Sequence, residues 1–136
     1  EFSIITPKAD IAEKLKLTGE GAKVYYLKRL RCADHVNIVI ESTYLPADIF
    51  PGLKKDDLEN RALYDIMRED HAIIPRSAEQ YFGAENVGKE ESELFGVKKG
   101  AAAISLERFT FNGDKIIEYT KGIARADIFR FHIKLT

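Results

Sequence analysis

The chain has 136 residues, the length of one domain, and 45% of them are hydrophobic, which is enough for a core and too many for a disordered chain. Its 21 Lys and Arg balance 22 Asp and Glu to a net charge of -1, so the chain as a whole lacks the basic surplus with which a protein grips nucleic-acid phosphates. A single cysteine, Cys32, excludes an internal disulfide framework and a cysteine-based zinc site.

In chain order, Phe2–Thr6 reads as a short strand closed by Pro7, and Asp10–Leu17 as a helix with Ile11, Ala12 and Leu15 on one face. Thr18-Gly19-Glu20-Gly21 stops that helix. Ala22–Cys32 and Val36–Leu45 read as two long strands joined by Ala33-Asp34-His35. Asp57–Asp70 carries Leu58, Ala62, Ile66 and Leu63, Met67 at helical spacing. Ile73–Tyr81 reads as a strand, and Glu85–Phe95 as a helix ended by Gly96. Ala101–Phe111 and Ile116–Ala124 form a second hairpin around Asn112-Gly113-Asp114. Phe129–Leu135 alternates apolar and polar residues and reads as a closing strand. Hairpins interleaved with separate helices predict an α+β fold, a central antiparallel sheet flanked by helices, in a single domain over residues 1–136. No apolar run approaches a membrane span and no signal peptide opens the chain, so the expectation is a cytoplasmic protein.

The chain resembles itself. A shift of 79 places Leu15 on Leu94, Gly21 on Gly100, Ala22 on Ala101, Leu27 on Leu106 and Arg29 on Arg108. Beyond the turn the better shift is 77, with Ile38–Glu41 lying on Lys115–Glu118, as if the second hairpin were two residues shorter. Each half then carries an Arg on its first strand and a Glu on its second. Side chains alternate along a strand, so the turn decides where these charges point. Three-residue connections put Arg29 on one face with Glu41, and Arg108 on one face with Glu118. Two-residue turns, which Asn-Gly favours, throw each pair onto opposite faces. The three-residue reading is preferred because it treats both hairpins alike.

Arg29 and Arg31 lie two residues apart on one strand face and converge on one spot. A guanidinium fork suits phosphate or carboxylate, and Glu41 and Glu118 beside it accept hydrogen bonds from hydroxyls or amines. That set fits a small polar anion such as a sugar phosphate. The plainer reading is cross-strand ion pairs on a solvated face, worth little each. His35, His71 and His132 are scattered without metal-ligand spacing, and nothing calls for a cofactor or a metal. Cys32 reads as a small buried hydrophobe, His35 as a turn residue, and Arg125 with Asp127 as a pair at the entry to the last strand.

Six strings in order carry a family likeness: Tyr26-Leu27-Lys28-Arg29-Leu30-Arg31, Glu41-Ser42-Thr43-Tyr44-Leu45-Pro46, Phe50-Pro51-Gly52-Leu53, Ala62-Leu63-Tyr64-Asp65-Ile66, Leu106-Glu107-Arg108, and Arg125-Ala126-Asp127-Ile128-Phe129-Arg130-Phe131. Together they resemble the UTRA domain, the effector-binding part of HutC-type GntR-family transcription regulators, over nearly the whole chain. The resemblance implies a chorismate lyase-like fold, a homodimer, and a pocket for a small anionic metabolite. It implies Arg29 and Arg31 as anion binders and Glu41 and Glu118 as acceptors. Sugar-phosphate sensors of the family use a Ser at the start of the middle helix. Here the stretch reads Arg61-Ala62-Leu63-Tyr64, and Arg61 is the substitute the sequence offers, at the positive end of a helix. A Tyr common before the Arg-x-Asp string is Ala124 here. Family members reach DNA through an N-terminal winged helix–turn–helix, for which this chain shows no pattern. The alternative is a small chorismate lyase-like enzyme acting on a carboxylate substrate, with Glu41 or Glu118 moving a proton.

Overall fold

The computed structural model describes residues 1–136. Its strands are β1 (Phe2–Ile5), β2 (Val24–Ala33), β3 (Val36–Pro46), β4 (Ser77–Asn86), β5 (Ala102–Asn112) and β6 (Lys115–Arg125). They form one antiparallel sheet in the order β1-β2-β3-β6-β5-β4, so the second strands of the two hairpins meet at the centre. The helices are α1 (Ala9–Lys14), α2 (Lys55–Asn60), α3 (Leu63–His71) and α4 (Lys89–Phe95). No helix is long and apolar enough to cross a membrane.

Alternation along the strands divides the core. Tyr25, Leu27 and Leu45 point to one face and pack with Phe50, Leu53, Leu63, Ile66 and Met67 from the loop and helices after β3. Phe50, Ile66 and Met67 are almost wholly buried there, each contributing roughly 1.5–3 kcal/mol of transfer free energy. The other face holds two smaller clusters. Ile11 and Leu15 of the α1 region cover Val24, Ile116 and Tyr119, while Phe95 of α4 covers Ile40, Ala103 and Ile123. The helix–Gly–strand repeat read from the sequence is thus a pair of helices over equivalent halves of one face.

Both hairpin turns have two residues, not three. Ala33 pairs with Val36 around Asp34 and His35, whose φ values of 49° and 65° are those of a tight hairpin turn. Asn112 pairs with Lys115 around Gly113 and Asp114. The expected shared face survives because each returning strand carries a one-residue bulge. Cys32 pairs with Asn37 but Arg31 with Val39, leaving Ile38 extra, and Phe111 pairs with Ile116 but Thr110 with Glu118, leaving Ile117 extra. Each bulge restores the parity the short turn would have reversed. The hairpins are therefore equal in length, and the shift of 79 holds throughout: Ile38 corresponds to Ile117, and Glu41 to Thr120 rather than to Glu118.

Four other expectations change. The helix predicted over Asp57–Asp70 breaks at Arg61 and Ala62, both extended, into α2 and α3. One straight helix offers a single apolar stripe, whereas the break lets Leu58 and the Leu63, Ile66, Met67 stripe all reach the same core. The strand expected over Ile73–Tyr81 begins only after Pro75, at Ser77, and continues through Glu85 and Asn86, where the spacing had predicted the start of a helix. Phe129–Leu135 forms no strand, because nothing in the chain pairs with it. Cys32 is exposed, its Sγ within 2.8 Å of the Asn37 side-chain oxygen.

Candidate functional site

On the face shared with α3, the antiparallel register lines up charged and hydroxyl side chains from four adjacent strands. Arg29 lies directly across from Glu41, and Thr43 across from Thr120. Glu118 lies across from Thr110, while Arg108 lies across from Thr120 and reaches Glu118 diagonally. Hydrogen bonds run through them almost without interruption. The Arg29 guanidinium donates to Thr43 Oγ1 at 3.3 Å, Thr43 and Thr120 share a bond of 2.8 Å, and Thr120 donates to Glu118 Oε2 at 2.7 Å. Arg108 Nη2 meets the same oxygen at 3.2 Å. Tyr64, on the first turn of α3, donates to Glu118 Oε1 at 2.9 Å, and Thr110 donates to it at 2.7 Å.

Glu118 is fully buried, yet its two oxygens accept four hydrogen bonds. Burial alone pushes its carboxyl up, but Arg108 and the hydroxyls of Thr120, Thr110 and Tyr64 more than offset this and hold it below the ordinary 4.5. The Tyr64 hydroxyl is raised, first by burial and then by the Glu118 charge.

The other end of the belt is less complete. Arg31 Nε is 3.2 Å and Arg29 Nη2 3.7 Å from Glu41 Oε2, yet neither is aligned to hydrogen-bond it. Burial lowers the Arg29 guanidinium from its ordinary value, with Glu41 opposing and Arg31 adding to the shift. Arg29 Nε, Glu41 Oε2 and Arg108 Nε are buried without any hydrogen-bond partner. Gly122, opposite Glu41, makes the close approach possible. A Cβ there would lie 2.9 Å from the Ile40 carbonyl and 3.3 Å from Glu41 Cγ.

Of the residues read from sequence, the fold brings Arg29, Arg31, Glu41 and Glu118 to one face. Arg61 is not among them. Its guanidinium is held by Asp70 at 2.7 and 3.1 Å and by Glu69 at 2.7 Å, along the exposed side of α3. Glu118 is there but presents no free oxygen. Sequence reasoning leaves out Arg108, Tyr64, Thr43, Thr110 and Thr120. Arg108 is visible as the repeat partner of Arg29, while the hydroxyls give no signal because Thr is common in strands. The larger clefts lie elsewhere. One of about 580 Å³ sits on the opposite face between Lys28, Lys121, Glu90 and Tyr119.

Comparison with known proteins places the chain. The family model described as the UTRA domain matches residues 1–130. The chain belongs to the UTRA family. Similar curated proteins include the HTH-type transcriptional repressor NagR of Bacillus subtilis, 25% identical over 133 residues, covering 96% of this chain and 54% of the repressor. Among solved structures, the effector domain of PhnF from Mycobacterium smegmatis superposes with a TM-score of 0.89 at 25% identity, covering all of this chain and 83% of that one. A GntR-family transcriptional regulator from Enterococcus faecalis shares the fold at TM-score 0.90 and 19% identity, covering 99% and 96%. The chain spans about half the length of the curated relatives it matches. Its six-stranded antiparallel sheet with flanking helices is the UTRA effector-domain architecture.

Proposed function

We propose that this UTRA domain is the sensor of a transcription regulator, taking a small anionic metabolite of the sugar-phosphate kind against Arg29, Arg31 and Glu41. Binding shifts the population of domain arrangements and so changes the DNA affinity of an attached winged helix–turn–helix. The domain binds its ligand without turnover, works as a homodimer and acts in the cytoplasm. One observation carries the reading. Three buried polar atoms, Arg29 Nε, Glu41 Oε2 and Arg108 Nε, lack partners on the same sheet face. Unpaired buried polar atoms are costly and rare, and a cluster of them needs an explanation that a bound group of matching polarity supplies. Glu118 and Arg61, already engaged inside the chain, are assigned no direct contact with the ligand.

Isothermal titration with a panel of sugar phosphates, amino-acid metabolites and inorganic phosphate tests this. At least one sugar phosphate should bind, and Arg29→Glu should abolish the heat. Silence across the panel, with melting temperatures unmoved, overturns the reading. Turnover of chorismate would support the lyase alternative instead.

A further inference from the structure

We propose that the notch between the end of α1 and the end of β3 is a binding site for a small molecule with a guanidinium head, of the arginine kind. It lies apart from the belt of Arg29, Arg31 and Glu41 and takes a second ligand beside the one proposed above.

The two halves of the chain point to it. Pro46-Ala47-Asp48-Ile49-Phe50 and Arg125-Ala126-Asp127-Ile128-Phe129 lie 79 residues apart and agree at four positions of five. Their backbones fold alike. Ala47 N–H donates to the Lys23 carbonyl at 3.0 Å, and Ala126 N–H to the Ala102 carbonyl at 3.4 Å. Ile49 N–H returns to Pro46 at 3.3 Å, and Ile128 N–H to Arg125 at 3.4 Å. The helices beside them also close alike. Leu17 N–H reaches the Ala12 carbonyl at 2.9 Å, and Val97 N–H the Ser92 carbonyl at 3.1 Å. Leu15 at the end of α1 therefore stands where Phe95 stands at the end of α4.

The one residue that differs carries the charge. In the second half the Arg125 guanidinium donates to both Asp127 oxygens, at 3.1 and 2.6 Å, and to the Phe95 carbonyl at 3.4 Å. A planar fork laid on a carboxylate is strong and directional. In the first half Pro46 takes the place of Arg125 and offers no donor. Asp48, the counterpart of Asp127, is exposed and enters none of the chain's ion pairs. The space reflects the exchange. The notch beside Asp48 measures about 570 Å³, against about 330 Å³ for the one beside Asp127. The first half thus keeps the carboxylate and the helix end that hold a guanidinium in the second, and lacks the guanidinium.

The rest of the lining sets the class of ligand. A guanidinium fills only a fraction of the notch, so its carrier enters with it. Lys16, Lys23, Lys115 and Glu20 also line the space. Lys23 is engaged by Thr6 Oγ1 at 2.6 Å. Lys16 and Lys115 are left to meet a carboxylate, and Glu20 to meet an ammonium. An amino acid with a guanidinium head answers all three, with the head on Asp48 and the end of α1.

Titrating the isotope-labelled full chain with L-arginine, followed by amide NMR, tests the proposal. Saturable shifts should appear at residues 15–18 and 46–49. L-lysine carries the same backbone charges but a head without the fork, and should bind at least about fivefold more weakly. Asp48→Asn should weaken arginine binding by about tenfold, and its exposed position leaves the fold intact. Arg125→Ala should open the second notch and add saturable shifts at residues 95–97 and 126–127. The absence of any saturable shift overturns the site. Equal affinity for arginine and lysine overturns the guanidinium class, and unchanged binding in Asp48→Asn overturns the assigned carboxylate. An Arg125→Ala chain without new shifts overturns the equivalence of the two notches.

Discussion

Arg29 with Glu41 and Arg108 with Glu118 are the same side-chain types on two equivalent hairpins, yet their surroundings differ. Glu118 is sealed and accepts four hydrogen bonds, with Tyr64 of α3 reaching down to complete the set. Glu41 sits just under the surface beside two guanidinium groups, with one oxygen unbonded. The two glutamates are also offset along the repeat, since Glu41 matches Thr120. The difference separates a fastening from a receptor. A saturated buried carboxylate holds strands and helix together. A carboxylate short of partners, facing two cations, is arranged for something that arrives.

Removing the fastening should have the largest effect. Glu118→Ala leaves Arg108 buried beside two threonines and a tyrosine, and should lower the unfolding free energy by about 3–5 kcal/mol in a urea titration. Arg29→Ala should act on binding. Losing a charge-assisted hydrogen bond worth roughly 1.5–3 kcal/mol would weaken ligand affinity by about 10- to 100-fold by calorimetry, while unfolding stays cooperative. Equal effects of the two changes on stability would dissolve the contrast. Gly122→Ala pushes a methyl against the Ile40 carbonyl and the Glu41 side chain, at a cost of about 1–3 kcal/mol in the same urea titration. Ligand affinity should fall with it as Glu41 is displaced.

The smallest effect concerns acid. The folded Glu118 carboxyl lies below its ordinary 4.5, so the folded state binds this proton less readily than the unfolded chain. Its contribution is complete above 4.5 and is lost as the pH falls through the lower folded value. Urea midpoints measured from neutral pH into that acid range should decline, and Glu118→Gln should flatten the decline. An unchanged slope would show that Glu118 is not the group responsible.

Much of the site is legible in the chain. Alternation puts Arg29, Arg31, Glu41 and Glu118 on one face, and the repeat points to two matched hairpins. The route is not legible. The short turns at Asp34-His35 and Gly113-Asp114 would have reversed the faces, and the bulges at Ile38 and Ile117 undo this. A bulge leaves little trace in composition, since an extra Ile looks like any other strand residue. Arg61 misleads because the periodicity of 57–70 hides the break that turns its side chain toward Glu69 and Asp70. The alternation in Phe129–Leu135 carries the pattern of a strand, but no strand of the chain pairs with it. Polar edge residues such as Glu85 and Asn86 have no apolar rhythm at all, so the far end of β4 is invisible to periodicity.

The Thr43–Thr120 hydroxyl contact joins residues 77 positions apart, whereas each hairpin closes on itself through a two-residue turn. Hairpins form in about 1–10 μs, but bringing together distant stretches of chain costs loop-closure entropy first. The central seam between β3 and β6 is therefore expected to close late in folding. Thr120→Val should then accelerate unfolding far more than it slows refolding in a stopped-flow chevron. A refolding rate slowed in full proportion to the lost stability would place the seam in the nucleus instead.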